Sequence, residues 1–188
     1  MMRVRTLMFT VGVCAATATL VLVGGAAAQG PARGRGAAPA QTARVHGNLA
    51  QVMRGILYPA SNVIFAAQST DPTTVKPDGD PSTSPNPLSS SYGGWEAVGN
   101  AGIALAEAAN LLIIPGRVCL NGKPAPIQNA DWQMWVQGLR DAGMTAYKAA
   151  QSKSQDAVLD ASDVMSTACQ NCHDKYREVP GGEANRCQ

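Results

Sequence analysis

Apolar side chains recur every three or four positions in four stretches of the chain, which is the spacing of one face of an α-helix. The stretches cover about residues 41–68, 95–114, 130–150 and 153–177. No segment alternates convincingly between apolar and polar side chains, so no strand is predicted. The last two stretches are separated by a very short connection, which favours antiparallel neighbours. The pattern therefore predicts an all-α fold, an antiparallel four-helix bundle.

Prolines and polar residues mark the ends of these helices. Residues 71–87 hold five of the 12 prolines and predict a long loop, and residues 115–129 predict another. Pro59 lies inside the first stretch and predicts a bend, because it cannot donate a helical hydrogen bond. Asn129 is predicted to cap the third helix, and Ser152 to form a capping box with Gln155 at the start of the fourth.

The amino terminus has the order of features found in an export signal. A short basic region is followed by an apolar stretch over residues 7–23 and by small residues that end at Ala28. We expect residues 1–28 to be a signal peptide, 29–40 a flexible arm and 41–188 the folded domain. A retained membrane anchor is the alternative. Export places the domain in the periplasm or otherwise outside the cytoplasm, where disulfides persist.

Charge argues against a nucleic-acid partner. The chain carries a formal charge of +2, but Arg3 and Arg5 lie in the expected signal, which holds no acidic residue. From residue 45 onward acidic residues outnumber basic ones. A nucleic-acid-binding surface is therefore not expected.

The candidate chemistry lies near the end of the fourth helix. Cys169, Cys172 and His173 form a C-x-x-C-H sequence, the attachment motif of a c-type haem. On a helix both thiols and the imidazole lie on one side, where they meet a single planar ligand. A disulfide between these cysteines suits a continuing helix poorly. A zinc site or a thioredoxin-like redox pair would need ligands or a strand that the sequence does not supply.

With Tyr176 and Arg177 after it, this motif resembles that of the cytochrome c-prime superfamily. The resemblance covers residues 41–177, and its specific part is the carboxyl-terminal motif. It implies one covalent haem c between the helices, iron bound axially by His173, and Arg177 close to that histidine. Tyr176 is expected to pack on the haem or on the core. Trp132 and Trp135 are placed where they cover the haem edge, or belong to the core.

The second axial position of the iron has several candidates. The resemblance implies either an apolar residue of the first helix, with high-spin iron, or a methionine, with low-spin iron. Met53 lies in the amino-terminal half of that helix, which an antiparallel bundle brings beside the end of the fourth. We expect Met53 to be the distal ligand. Ligation by His46 or Met134, a vacant site, and core packing of Met53 are the alternatives.

Two cysteines remain outside the motif. Cys119 lies in the loop after the second helix and Cys187 in the tail after the fourth. Both positions belong at the expected haem end, so we predict a disulfide between them. Two free thiols are the alternative.

The sequence thus predicts a periplasmic monohaem cytochrome that carries single electrons to or from a redox partner protein. No acid/base pair or nucleophile appears beside the motif, so an enzyme is not expected. Two other functions remain open. One is a diatomic-gas-binding cytochrome with an open distal site, and the other is a fixed haem subunit of a membrane electron-transfer complex, with residues 69–92 as a docking loop. A homodimer also remains open.

Overall fold

The computed structural model describes residues 43–188, which are mainly helical and contain no strand. This confirms the prediction of an all-α chain. The expected signal peptide (1–28) and arm (29–40) lie outside the described residues. Within 43–188 no helix is long and apolar enough to span a bilayer.

The first helical segment begins with helix α1, Leu49–Val52, and not near residue 41 as predicted. Residues 43–48 are not helical. Asn48 ends this stretch because its side chain accepts from the Gln51 backbone N–H at 2.9 Å, while the Gln51 side chain accepts from the Asn48 N–H at 2.8 Å. This reciprocal capping box fixes the start of the helix.

A π-helical turn interrupts the same segment. It covers Met53–Leu57 and leads directly into helix α2, Tyr58–Ser69. The Tyr58 N–H donates to the Met53 carbonyl, five residues back. Pro59 follows in the first turn of α2, where a missing N–H is tolerated. A widened turn therefore lies immediately before Pro59, the position at which the sequence predicts a bend.

Three further helices follow. Helix α3 is Gly94–Ala108, continued by a 3-10 turn over Ala109–Ile113; helix α4 is Ala130–Ser152 and helix α5 is Gln155–Tyr176. The predicted cap of α5 was wrong by two residues. Ser154 caps the helix by accepting from the Ala157 N–H, whereas the Ser152 hydroxyl donates to the Ala149 carbonyl inside α4.

The helices contact one another in a ring. Helix α2 packs against α3 and α5, and α4 packs against the same two helices. The Gln155 side-chain amide donates to the carbonyls of Ala67 and Gln68, so the end of α2 lies beside the start of α5. Alanine and medium-sized apolar side chains fill the centre, among them Ile64, Val98, Leu105, Ala146, Val158 and Met165.

Two glycines let α3 and α4 approach backbone to backbone. A Cβ atom on Gly102 would lie 2.7 Å from the Gly143 carbonyl oxygen and 2.7 Å from the Tyr147 nitrogen. A Cβ on Gly143 would lie 2.6 Å from the Gly102 carbonyl oxygen. A side-chain carbon does not approach a non-bonded oxygen or nitrogen so closely, so the contact between α3 and α4 depends on glycine at both positions.

The predicted long loop between α2 and α3 is held by local hydrogen bonds. It contains 3-10 turns at Pro81–Thr83 and Pro87–Ser89, and Leu88 is buried under it. The Trp95 indole N–H donates to the Thr73 hydroxyl at 2.8 Å, which ties the start of the loop to α3.

Candidate functional site

A cavity of about 500 Å³ opens at one end of the helices. Its walls come from α1 and the π-helical turn, from α4, from the end of α5, and from the loop that follows α3. The lining is mostly apolar, with Leu49, Leu57, Leu105, Leu112, Val136 and Leu139. Its volume lies within the range of small-molecule sites, roughly 300–1,000 Å³.

Both cysteines of the C-x-x-C-H sequence line this cavity. Cys169 and Cys172 lie near the end of α5, half-buried and not disulfide-bonded. Burial raises the pKa of the Cys169 thiol. Burial, with the nearby Cys169 and Asp131, raises the pKa of Cys172 to about 12. At neutral pH both sulfurs are therefore protonated thiols.

His173 completes the motif on the same cavity wall. Arg177 lies one turn further on, with its Nη1 atom 3.0 Å from the His173 Nδ1 atom. This matches the proximity that the resemblance implies. Burial lowers the pKa of His173, and the positive charge of Arg177 lowers it further. The ring is therefore held in its neutral form, which is the form that binds metals.

Met53 also lines the cavity, as the first residue of the π-helical turn. The two other candidates for the distal position do not line it. His46 is exposed before α1, and the side chain of Met134 is 60% exposed on α4. Of the candidates that the sequence offered, the structure therefore brings only Met53 to the cysteines and His173.

Trp132, Trp135 and Tyr176 form one aromatic cluster on the cavity wall. The Tyr176 ring meets both indoles edge to face, with centroids 5.2 Å from Trp132 and 5.8 Å from Trp135. Trp132 is fully buried and its indole N–H donates to the Leu112 carbonyl. These side chains thus belong to the core and border the cavity at the same time.

The Tyr176 hydroxyl anchors a polar network beside the cavity. It donates to the Asp131 carboxylate at 2.7 Å and accepts from the Asn129 side-chain amide at 2.9 Å. Lys175 also donates to Asp131. Asn129 occupies the predicted N-cap position of α4, but its side chain makes no capping hydrogen bond because it is used here.

Cys119 and Cys187 are joined by a disulfide, as predicted, with Cα atoms 6.5 Å apart. Both cysteines line the cavity. Asn121 holds the same tail by donating to the carbonyls of Glu183, at 2.9 Å, and Arg186, at 3.1 Å. The bond and these contacts close one side of the cavity with the segment after α5.

Several residues of this region were missed by sequence reasoning. Asn121 belongs to an Asn-Gly pair and Arg54 and Arg186 are isolated charges in the sequence, and none of the three was predicted to belong to the site. Arg117 was not noted, although it is 4% exposed and donates to the carbonyls of Leu111 and Gly47. It thereby ties the loop after α3 to the approach to α1. No sequence motif marks these positions. Asn121 and Arg117 act through contacts with distant backbone, and Arg54 and Arg186 reach the cavity through the fold of their segments.

Side chains alone do not form a metal cluster here: within residues 43–188 no group of three or more His, Cys, Asp or Glu residues is arranged to hold an ion.

Comparisons with family models, with curated proteins and with solved structures find no match for this chain.

Proposed function

We propose that this chain is an exported monohaem c-type cytochrome that carries single electrons. The observation that carries the proposal is the meeting of two thiols, an imidazole and a thioether in one apolar cavity: Cys169, Cys172, His173 and Met53. We further propose that the four helices form an antiparallel bundle around the haem. The closed ring of helix contacts supports that arrangement.

The residues present suit a haem in three respects. The volume and apolar lining match a large, flat, mostly apolar ligand. The neutral thiols, three residues apart on one helix, are the groups that the C-x-x-C-H motif uses for thioether bonds. The neutral imidazole of His173 follows directly and would hold the iron. When bound, the haem iron supplies a one-electron redox couple.

Met53 is proposed as the second axial ligand. Its wall of the cavity, the π-helical turn, is a different element from the wall that carries His173. Thioether ligation raises the reduction potential of haem iron. The surrounding leucines and tryptophans make the lining of the cavity mostly apolar, which suits an electron-carrying haem.

The proton of His173 must be on the ring nitrogen that does not bind iron. A guanidinium only donates, so the present contact of Arg177 makes Nδ1 an acceptor. If His173 binds iron through Nε2, the proton resides on Nδ1 and Arg177 must turn away. After this turn Arg177 still has Glu178 as a partner, because the Glu178 carboxylate already lies 3.0 Å from Arg177 Nε.

The test is the mass and the spectrum of the chain purified after export in a host that attaches haem c. We expect the mass of the mature chain plus one haem, and loss of that addition in Cys169→Ser/Cys172→Ser. The matched control is Cys119→Ser/Cys187→Ser, which removes the other cysteine pair of the same cavity. A wild-type chain without covalent haem contradicts the proposal.

Absorption spectra then separate the candidate functions. We expect a low-spin spectrum with a methionine-to-iron charge-transfer band that Met53→Ala abolishes and Met144→Ala, outside the cavity, preserves. High-spin ferrous iron that binds carbon monoxide rapidly would instead indicate a gas-binding cytochrome. Co-purification in a stable membrane complex, measured by native mass, would indicate a fixed haem subunit.

A further inference from the structure

The charged side chains that line the cavity are all arginines. Arg54 comes from the π-helical turn, Arg177 from the end of α5 and Arg186 from the tail. Among the described lining residues there is no aspartate or glutamate. An apolar cavity edged only by cations favours a ligand that has an apolar body and negative groups.

Arg54 has the fewest polar contacts of the three arginines. It lies next to Met53, its side chain is exposed, and within residues 43–188 it has no hydrogen-bond or ion-pair partner. An arginine at the edge of an apolar site can therefore turn to an anionic group in that site without breaking an existing contact.

Arg186 is held in place mainly through its backbone. Its carbonyl accepts from Asn121, and the next residue, Cys187, is cross-linked to Cys119. Its Nε atom donates to the Arg177 carbonyl at 3.1 Å. The distance from Nη1 to the Glu183 carboxylate is 4.0 Å, the outer limit of an ion pair. The terminal nitrogens thus stay available for another acceptor.

Arg177 is already committed. Its Nε atom pairs with the Glu178 carboxylate, and this pair remains when its Nη1 atom turns away from His173. The unused capacity for binding an anion therefore lies with Arg54 and Arg186, on two different walls of the cavity.

We propose that Arg54 and Arg186 bind the carboxylate groups of the ligand that fills this cavity, which for haem are its two propionates. The inference rests on the proposed function and adds the residues that recognise the anionic edge of the cofactor. Guanidinium groups suit this role because they pair with carboxylates through two parallel hydrogen bonds.

The test uses the full mature chain with Cys169→Ser/Cys172→Ser, so that ligand binding is reversible. It is titrated with haem and, separately, with haem dimethyl ester, in which both carboxylates are neutral. We expect haem to bind at least about tenfold more tightly than the ester, because each charge-assisted hydrogen bond contributes about a factor of ten or more. Adding Arg54→Gln or Arg186→Gln should weaken haem binding and leave ester binding unchanged.

Arg44→Gln is the matched control, since Arg44 is exposed and does not line the cavity. Equal affinity for haem and ester would overturn this inference, and so would equal losses of haem affinity in Arg54→Gln and Arg44→Gln. The proposed function would still stand in either case if the wild-type chain carries covalent haem. A second measurement uses the covalently loaded chain. The propionate bending bands of its resonance Raman spectrum should shift in Arg54→Gln and stay in place in Arg44→Gln, and unshifted bands in Arg54→Gln contradict the inference.

Discussion

At the scale of single residues, Asp131 joins the start of α4 to the end of α5. It accepts hydrogen bonds from Lys175 and from the Tyr176 hydroxyl. The bond from Lys175, followed by that from Tyr176, lowers the pKa of Asp131 below its usual value near 3.8. The folded chain therefore favours the ionised carboxylate, and this preference is a contribution to stability.

The sign of the resulting pH dependence follows directly. A carboxyl group whose pKa is lowered on folding stabilises the fold above about pH 4, and this stabilisation is lost as pH falls through the folded-state pKa. We expect Asp131→Asn to be less stable than the wild type at neutral pH, with the difference shrinking below pH 4. Urea unfolding at a series of pH values measures this. Asp160→Asn, at an exposed position of α5, is the control, and a pH-independent difference for Asp131→Asn would refute the assignment.

The spacing of the motif was enough to predict that Cys169, Cys172 and His173 share one side of α5. The position of Met53 on the same cavity followed from the expected antiparallel arrangement, because an antiparallel return brings the start of the first helix to the end of the last. Arg54 and Arg186 were not predictable in the same way. Their position depends on a π-helical turn and on a cross-linked tail, neither of which has a periodic signature.

At the scale of helices, the contact of α3 with α4 is set by backbone atoms. Gly102 and Gly143 lie opposite each other with no room for a methyl group at either position. Such contacts are invisible to hydrophobic periodicity, which treats glycine as a gap in the apolar face. The sequence predicted both helices but not how closely they pack.

We expect Gly102→Ala and Gly143→Ala each to lower the free energy of unfolding by about 1–3 kcal/mol, the usual cost of overpacking. Gly138→Ala is the matched control on α4, since a Cβ there meets nothing within 4 Å. It should raise stability by about 0.5–1 kcal/mol, because alanine loses less backbone entropy in a helix. Thermal or urea unfolding gives the comparison. Similar effects at positions 102 and 138 would show that the close contact does not form.

Helix ends were predicted less well than helices. Ser152 and Ser154 both precede α5 and both have hydroxyl groups, so the sequence alone does not choose between them. Ser154 is the cap because α4 extends to Ser152 and ends there, where Lys153 takes a left-handed backbone conformation with φ of 51°. Asn129 shows a second reason why helix caps are hard to predict. Local rules assign its side chain to the cap of α4, but that side chain instead donates a hydrogen bond to the distant Tyr176 hydroxyl.

At the scale of the whole molecule, the Cys119–Cys187 bond links segments that are 68 residues apart in sequence. A cross-link of that span restricts the unfolded chain strongly. In the chain-entropy model it stabilises the folded state by about 4 kcal/mol. The bond also holds the tail, and with it Arg186, against the loop that carries Asn121.

Reduction of this bond should therefore lower the midpoint of urea unfolding substantially, by an amount equivalent to about 4 kcal/mol. The measurement compares the chain with and without reductant, and Cys119→Ser/Cys187→Ser under both conditions. The unfolding midpoint of the serine variant should equal that of the reduced wild type and should not change when reductant is added. If the reductant leaves the unfolding midpoint of the wild type unchanged, the bond does not stabilise the fold.

The π-helical turn makes the cavity depend on the width of one helical turn as well as on side-chain identity. A π turn holds one residue more than the α turn that it replaces. If Met53–Leu57 kept its five residues but took ordinary α geometry, everything before it would rotate by about 100° relative to α2. Leu49 and Ala50 would then leave the wall that they now form. The wide turn absorbs the additional residue, and a Cβ on Gly55, which meets no neighbour, would leave that turn in place.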